Sequence, residues 1–396
     1  MALYDLFGIE IHAADETAFA TKESSFSGRD VRALAIPTVD LKQNTLEDKP
    51  VSNRLNFQYA PILALQNGSK LTLQIALRGT GTAASDGVSA IGEATLAEGQ
   101  LLKNMFGGES LGMGGVATAD STTAHINTDD VAYFSAGQAV LVNGEANVID
   151  AVTASGLSMV RCFSAAPAAA DVIYASATYY PTQELPEETL QFRCTDGSGD
   201  SWYLEGCQGN SITFAGINVG EKPVCNLDIH VTAWEAGADA LAAPTYTNAT
   251  QPAIPGNASK LYVGDYGWEQ ICEIDAAAVV INPGLSCVPV GSVSGTQGVQ
   301  KHGRAAPVKP SIEFVTPYTD DYRDDFEALT AKYLHYQIGS TAGATILIEV
   351  PRFFIDAKPA PATLNGQRAV KVTGYGAELT SGSTDLVLAP VKIHLL

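Results

Sequence analysis

Apolar and polar residues alternate with period two along several runs of the chain. Between Trp202 and Trp234, Ile212 and Phe214 flank Thr213, and Val224, Leu227, Ile229 and Val231 alternate imperfectly with Asn226, Asp228, His230 and Thr232. A period of two sends successive side chains to opposite faces, so these runs predict two long antiparallel strands joined by the turn-rich INVGEKP. Near the C-terminus, Ile346, Ile348, Val350 and Phe353 to Ile355 predict a second strand region. KPAPATLNGQ is read as its connection, and Ala369 to Leu379 as its return.

What precedes each pair also matches. SKLTLQIALRG places Leu71, Leu73, Ile75 and Leu77 on one face, and VKPSIEFVTP does the same with Val308, Ile312 and Phe314. A helical stretch follows each. The first, residues 93 to 106, puts Leu101, Leu102, Met105 and Phe106 inward and is closed by Gly107 and Gly108. The second, Asp321 to Tyr333, has Thr319 and Asp320 as possible caps, acids in its first turn and Lys332 in its last, with Tyr322, Phe326, Leu329 and Tyr333 as its inward stripe. Strand, helix, hairpin therefore occurs twice, which predicts an internal duplication. The first module takes residues 1–236, a Pro-, Ala- and Asn-rich linker 237–258, and the second module 259–396.

Two stretches stand outside this pattern. Residues 110–183 break into short apolar runs separated by Asn143-Gly144 and Ser155-Gly156, which predicts a small all-β insertion, and its Ala and Gly content suggests a surface appendage. Residues 1–53 carry few alternations and are expected to form a long ordered arm or loop, of the kind that often serves as an interaction element.

Composition narrows the function. With 43 acidic and 23 basic residues among 396, the formal charge is −20, contrary to the clustered Lys and Arg that proteins gripping phosphates need. A hydrophobic share of 46% is ample for real cores. The start MALYDLFGIEIHAADE lacks the pattern of a secretory signal, and no apolar run approaches the roughly 18 residues of a membrane helix. Under those conditions Cys162, Cys194, Cys207, Cys225, Cys272 and Cys287 are expected as buried thiols, and the triplets at Asn67, Asn248 and Asn257 carry no glycosylation signal.

Candidate chemistry is sparse. GESLG, Gly108 to Gly112, fits the G-x-S-x-G pattern, but a nucleophile elbow needs a strand before Ser110 and a helix after it, and the predicted order is the reverse. His12, His125, His230, His302, His335 and His394 lack the spacing that sets two ligands on one helix face. DGSGD, Asp196 to Asp200, is too short for a calcium loop and reads as a tight connection. DDYRDDFE is an acidic helix start. Basic residues interleaved with aromatics are absent from any one segment, and Lys301, His302 and Arg304 form a mild basic cluster suited to a subunit contact. The expectation is a protein that is no enzyme, with no catalytic, cofactor or metal residues.

The segments LLKNMFGG, TLQF, YLEGCQGNSITFAGINVGEKPVCNLDIHVTAW and IEFVTPYTDDYRDDFEALTAKYLHYQIGSTAGATILIEVPRFFIDAKP resemble the tail tube (major tail) proteins of long-tailed bacteriophages, over most of the chain outside 110–183 and the linker. The resemblance implies a mainly β fold with one helix per module: two tandem β-sandwich or half-barrel domains plus the small all-β insertion. It further implies a virion protein of the tail, assembled in the host cytoplasm, whose C3 homotrimers form pseudo-hexameric rings that stack into a tube. Its partners would be itself and other tail proteins such as the tape measure and tail terminator, with DNA passing through an acidic lumen without specific binding and with no membrane or cofactor involved. A different class remains: a carbohydrate-binding or adhesive surface protein stacking sugars on Trp202, Trp234 and Trp268. A hydrolase acting through Ser110 is the third.

Overall fold

A computed structural model describes residues 11–16, 29–31, 33–34, 37–41, 45–47, 61–63, 69–76, 78–92, 96–182, 189–195, 201–214, 224–237, 259–264, 272–274, 277–284, 287–291, 299–304, 307–317, 322–364, 366–379 and 384–396. The protein is mainly β, built of antiparallel sheets with three short α-helices among the described residues. The predicted alternation holds. Ser69–Ala76 buries Leu71, Leu73 and Ile75, and Val224–Val231 buries every second residue. The irregularity in the latter run resolves at its start: Cys225, not Val224, begins the inward series.

Each half lays its strands down in the same order. In the first, Thr38–Asp40 pairs with Ser69–Ala76, that with Val224–Val231, that with Ser201–Phe214, then Leu190–Thr195, Ile11–Asp15 and Arg29–Asp30. In the second, Ala277–Asn282 pairs with Ser311–Pro317, that with Gln367–Gly376, that with Ile346–Ile355, then Lys332–Ile338, Ser259–Gly264 and Cys272–Ile274. A detached two-stranded hairpin interrupts both at the same point, Thr45–Glu47 with Pro61–Leu63 and Cys287–Gly291 with Val299–Arg304. The long strand of each half is irregular in the middle. Near Gly206 (φ 59°) in one and Pro351 in the other, pairing shifts register, so the two ends of the strand serve different parts of the sheet.

Several expectations change. Ile11–Asp15, Arg29–Asp30 and Thr38–Asp40 are sheet strands with Ile11 and Ala13 buried, so these parts of the N-terminal arm belong to the body, and among the described residues the paired strands Thr45–Glu47 and Pro61–Leu63 stand apart from the main sheet. The first helix, Ala97–Phe106, ends as foreseen at Gly107, whose φ of 92° only glycine adopts readily, and the chain turns at once into strand Gly107–Leu111. The second helix stops after Arg323–Ala328 because Leu329 takes a left-handed conformation (φ 52°). Leu329 is then 64% exposed, Phe326 is half-buried, and Tyr333 is buried on the next strand, so the predicted stripe mixes two elements. Thr319 and Asp320 lie outside the described residues. The segment taken as a plain connection contains strand Ala360–Leu364, folded against Gln367–Gly376 through a turn whose Gly366 has φ 79°.

The insertion is a six-stranded sheet, in the order Gly115–Val116, Val172–Ala175, Ala139–Val142, Glu145–Val152, Gly156–Met159 and His125–Asn127. Asn143 and Gly144, at φ 52° and 80°, make the expected hairpin turn. It is no appendage. Its flanks, Gly107–Leu111 and Ala177–Pro181, pair with each other in the main sheet, and Ala177–Pro181 pairs on its other side with the C-terminal strand Lys392–Leu395. Leu141, Val148 and Val160 pack on Tyr333, Leu347 and Leu396 of the second half, and Gln337 bonds to the backbone at Gly144 and Ala146 at 2.9 Å each. The linker lies outside the described residues apart from Gly237, which ends strand Ala233–Gly237.

Candidate assembly surface and the buried polar cluster

The two halves meet edge to edge. Phe214, at the end of the first half's long strand, pairs with Ile281 at the start of the second half's sheet. Following direct opposition across the strands gives a single row: Ala33, Ile75, Cys225, Phe214, Ile281, Ile312, Gly374, Ile355. The first four belong to one half and the last four, in the same order, to the other. All but half-buried Ala33 are buried, so the row marks the inward face of a continuous sheet.

The opposite face of that sheet is polar. In the first half Thr72 and Ser211 both donate to the Asp228 carboxylate, at 3.0 and 3.1 Å, and Gln74 donates to Asn226 at 3.0 Å. Such cross-strand side-chain pairs hold neighbouring strands in register on a wet surface. In the second half the same face carries Glu313 paired with Lys371 at 2.6 Å, together with Phe354 and Tyr375.

Both ends of the row are open among the described residues. Thr38–Asp40 has one strand neighbour, Ser69–Ala76. Ile355 is paired on one side, to Gly374, and its other side, where Phe214 receives Ile281, has no strand beside it. Unpaired N–H and C=O groups at a sheet margin form a template for another strand.

A second feature lies where the insertion flank, the C-terminal strand and the second half meet. Glu349 is 1% exposed and its carboxylate accepts from Lys392 Nζ at 3.0 and 3.1 Å, from Tyr333 and from His394 Nε2 at 3.3 Å. From His394 Nδ1 the chain of bonds continues to Thr178 Oγ1 and Ser176 Oγ, each step 2.8 Å, and ends on the amide of Ala139 in the insertion. His335 Nε2 lies 3.0 Å from the Tyr333 hydroxyl. Burial opposes the charge on Glu349, but Lys392 and the imidazole of His394 outweigh it and hold the carboxyl far below its usual range. Burial pushes both imidazoles down, so His335 and His394 are neutral at pH 7. With Lys392 already balancing Glu349, the cluster carries one negative and one positive charge, in a space closed to solvent. That is a fastener between elements.

The other candidates are placed singly. Ser110 sits inside strand Gly107–Leu111 opposite Thr178, accepting from Gln138 Nε2 at 2.8 Å, so the turn a nucleophile elbow requires is missing. His125 contacts Ser158 at 3.3 Å, and His230 is half-buried on the polar face of its strand. The side chains of His12 and His302 and all of Asp196 to Asp200 lie outside the described residues, although Thr195 pairs with Ser201 across that short connection. Trp202 and Trp234 pack edge to face, centroids 5.6 Å apart at 66°, which offers no shared flat platform; Trp268 is outside the described residues. Cys194, Cys207 and Cys225 are buried free thiols, with burial pushing Cys194 up to about 12. Among the described residues no group of three metal-ligating side chains occurs, and no helix is long and apolar enough to cross a membrane.

No spacing along the chain foreshadows the Glu349 cluster, because its members come from four strands. One signal was present: a lone acid inside the apolar run Ile346, Leu347, Ile348, Glu349, Val350, on a strand buried on both faces. The fold and surfaces together define a mainly β protein with a repeated strand order, whose row from Ala33 to Ile355 is open at both ends among the described residues. Neither a scan against protein-family models nor a search of curated proteins gave a match to this chain.

Proposed function

We propose that this chain is a structural protein of a bacteriophage tail tube, assembling with copies of itself into rings that stack and conduct DNA. The observation that carries the reading is the row from Ala33 to Ile355. Its junction between Phe214 and Ile281 joins one half to the other within the chain, and the same junction is available between chains. Counted by equivalent positions, Phe214 corresponds to Ile355 and Ile281 to Ala33, so Ile355 of one copy would lie opposite Ala33 of the next. Three copies would then close one sheet around an axis, using both ends of the row. Closed sheets of 16–18 strands already leave an aqueous channel. Three copies of this sheet exceed that size, and its polar face would line the lumen.

The lumen reading agrees with the hydroxyl, carboxamide and carboxylate side chains of Thr72, Gln74, Asn226 and Asp228 on that face, none of which would trap a phosphate. The tape measure, the tail terminator and a place in the virion tail belong to the same proposal.

Negative-stain microscopy of purified protein should show rings or tubes with a central hole. Ala33→Cys and Ile355→Cys in one chain should yield disulfide-linked dimers and trimers under mild oxidation, since directly opposed strand residues bring Cβ atoms within about 4.5–5.5 Å. A chain that stays monomeric at high concentration, with no rings and no cross-linked ladder, overturns the reading.

A further inference from the structure

The polar face of the second half holds a row that no single segment of sequence displays. Arg352, Phe354, Tyr375 and Lys309 come from three places in the chain and line up across the strands Ile346–Ile355 and Gln367–Gly376 and the segment that leads into Ser311–Pro317. The Arg352 guanidinium lies 5.1 Å from the Phe354 ring centre, the Phe354 and Tyr375 rings are 5.7 Å apart at 30°, and Lys309 Nζ stands 3.9 Å over Tyr375. The row has a cation at each end and two aromatic rings between.

Its electrostatics differ from those of Lys371 beside it, which is neutralised by Glu313 at 2.6 Å. A ring face holds a cation in place through its quadrupole without cancelling the charge. Arg352 otherwise donates to the neutral carbonyl of Glu378 at 3.0 Å. Among the described residues, neither Arg352 nor Lys309 is held by a carboxylate. In a chain of formal charge −20 these are two positioned cations, Lys309 exposed and Arg352 half-buried, with no carboxylate partner among the described residues.

We infer that the Arg352–Phe354–Tyr375–Lys309 row is an anion-binding strip that contacts the phosphodiester backbone of nucleic acid, DNA being the occupant. The rings work by tethering the two cations, because their faces are covered by Arg352 and Lys309 and cannot stack on bases. The equivalent face of the first half presents Asn226 and Asp228 instead. The lining is then not uniformly acidic: each chain offers one stretch that repels a polyanion and one that briefly holds it. The choice of DNA as occupant rests on the tube reading, whereas the strip itself lies within one chain and does not depend on rings forming.

The test is fluorescence anisotropy of a labelled short DNA duplex with the full-length chain, kept below the concentration at which rings appear. Two phosphate contacts predict that log K falls against log salt with a slope of about −1.8. Lys309→Ala and Arg352→Ala should each reduce that slope by about 1, and the double variant should abolish binding. Lys309→Arg should preserve it. Phe354→Ala with Tyr375→Ala should weaken binding while leaving the slope intact, a result that loss of fold would not give. Absence of binding by the unaltered chain at low salt, or equal binding by the double alanine variant, overturns the inference. So does displacement of the duplex by polyglutamate at equal charge, which would assign the strip to an acidic polypeptide. Rings seen by microscopy together with any of these results would remove only this inference and leave the tube reading standing.

Discussion

Glu349 is enclosed by protein yet ionised, which is sustainable only because Lys392, Tyr333 and His394 all reach it. Removing the acid alone strands a buried ammonium. Glu349→Ala should therefore lower stability by about 3–5 kcal/mol, and adding Lys392→Met should restore much of the loss, as read from urea midpoints of the two variants. Acid should unfold the protein in two stages. The folded state keeps His335 and His394 neutral, so below about pH 6.5 the unfolded chain binds protons that the folded one refuses, and stability falls. Glu349 is displaced in the same direction: its depressed value contributes stability above about pH 4.3, lost as the pH drops below that. The Glu349→Ala/Lys392→Met protein should keep the first stage and show a shallower second one. An unchanged acid limb in that variant would mean the cluster is not what titrates.

At the scale of elements, the sequence was most informative where one face of a strand is buried and the other wet. Leu71, Leu73 and Ile75 and the hairpin from Ile212 to Val231 follow the alternation because burial selects every second residue. It was least informative where both faces are covered. Lys332–Ile338 is buried almost throughout, so its apolar spacing fitted the end of a helix as well as a strand, and only the left-handed turn at Leu329 decides between them. The open margins could not be read at all, since a free edge is a property of which strands are neighbours. The first helix shows what its own sequence hides. It rests on Gly209, whose amide donates to Asn104 at 2.8 Å, and a Cβ built there would stand 2.1 Å from Met105 Cγ. Gly209→Ala should cost about 1–3 kcal/mol through overpacking, and Met105→Ala in the same chain should recover part of it. Thermal melting of the single and double variants checks this; additive losses would show that the helix does not sit on that glycine.

Across the whole molecule, the hairpins Thr45–Glu47/Pro61–Leu63 and Cys287–Gly291/Val299–Arg304 stand at matching points of the two halves, each outside the main sheet. A two-stranded hairpin is marginally stable by itself in water, so a pair retained in both copies of a duplicated unit suits a surface completed on assembly. In the proposed tube, ring closure would occupy the sheet margins at Ala33 and Ile355, which would leave the hairpins for contacts between rings along the tube axis. They also contain the basic cluster of Lys301, His302 and Arg304 on strand Val299–Arg304. Replacing residues 45–63 by a short Gly-Ser turn leaves Thr38–Asp40 and Ser69–Ala76 in place. That protein should melt within a few degrees of the parent and still form the Ala33→Cys/Ile355→Cys cross-link. Microscopy should show single rings in place of tubes. Tubes of normal length from the shortened chain would remove the hairpins from the stacking contact, whereas loss of the cross-link as well would place residues 45–63 in ring closure itself.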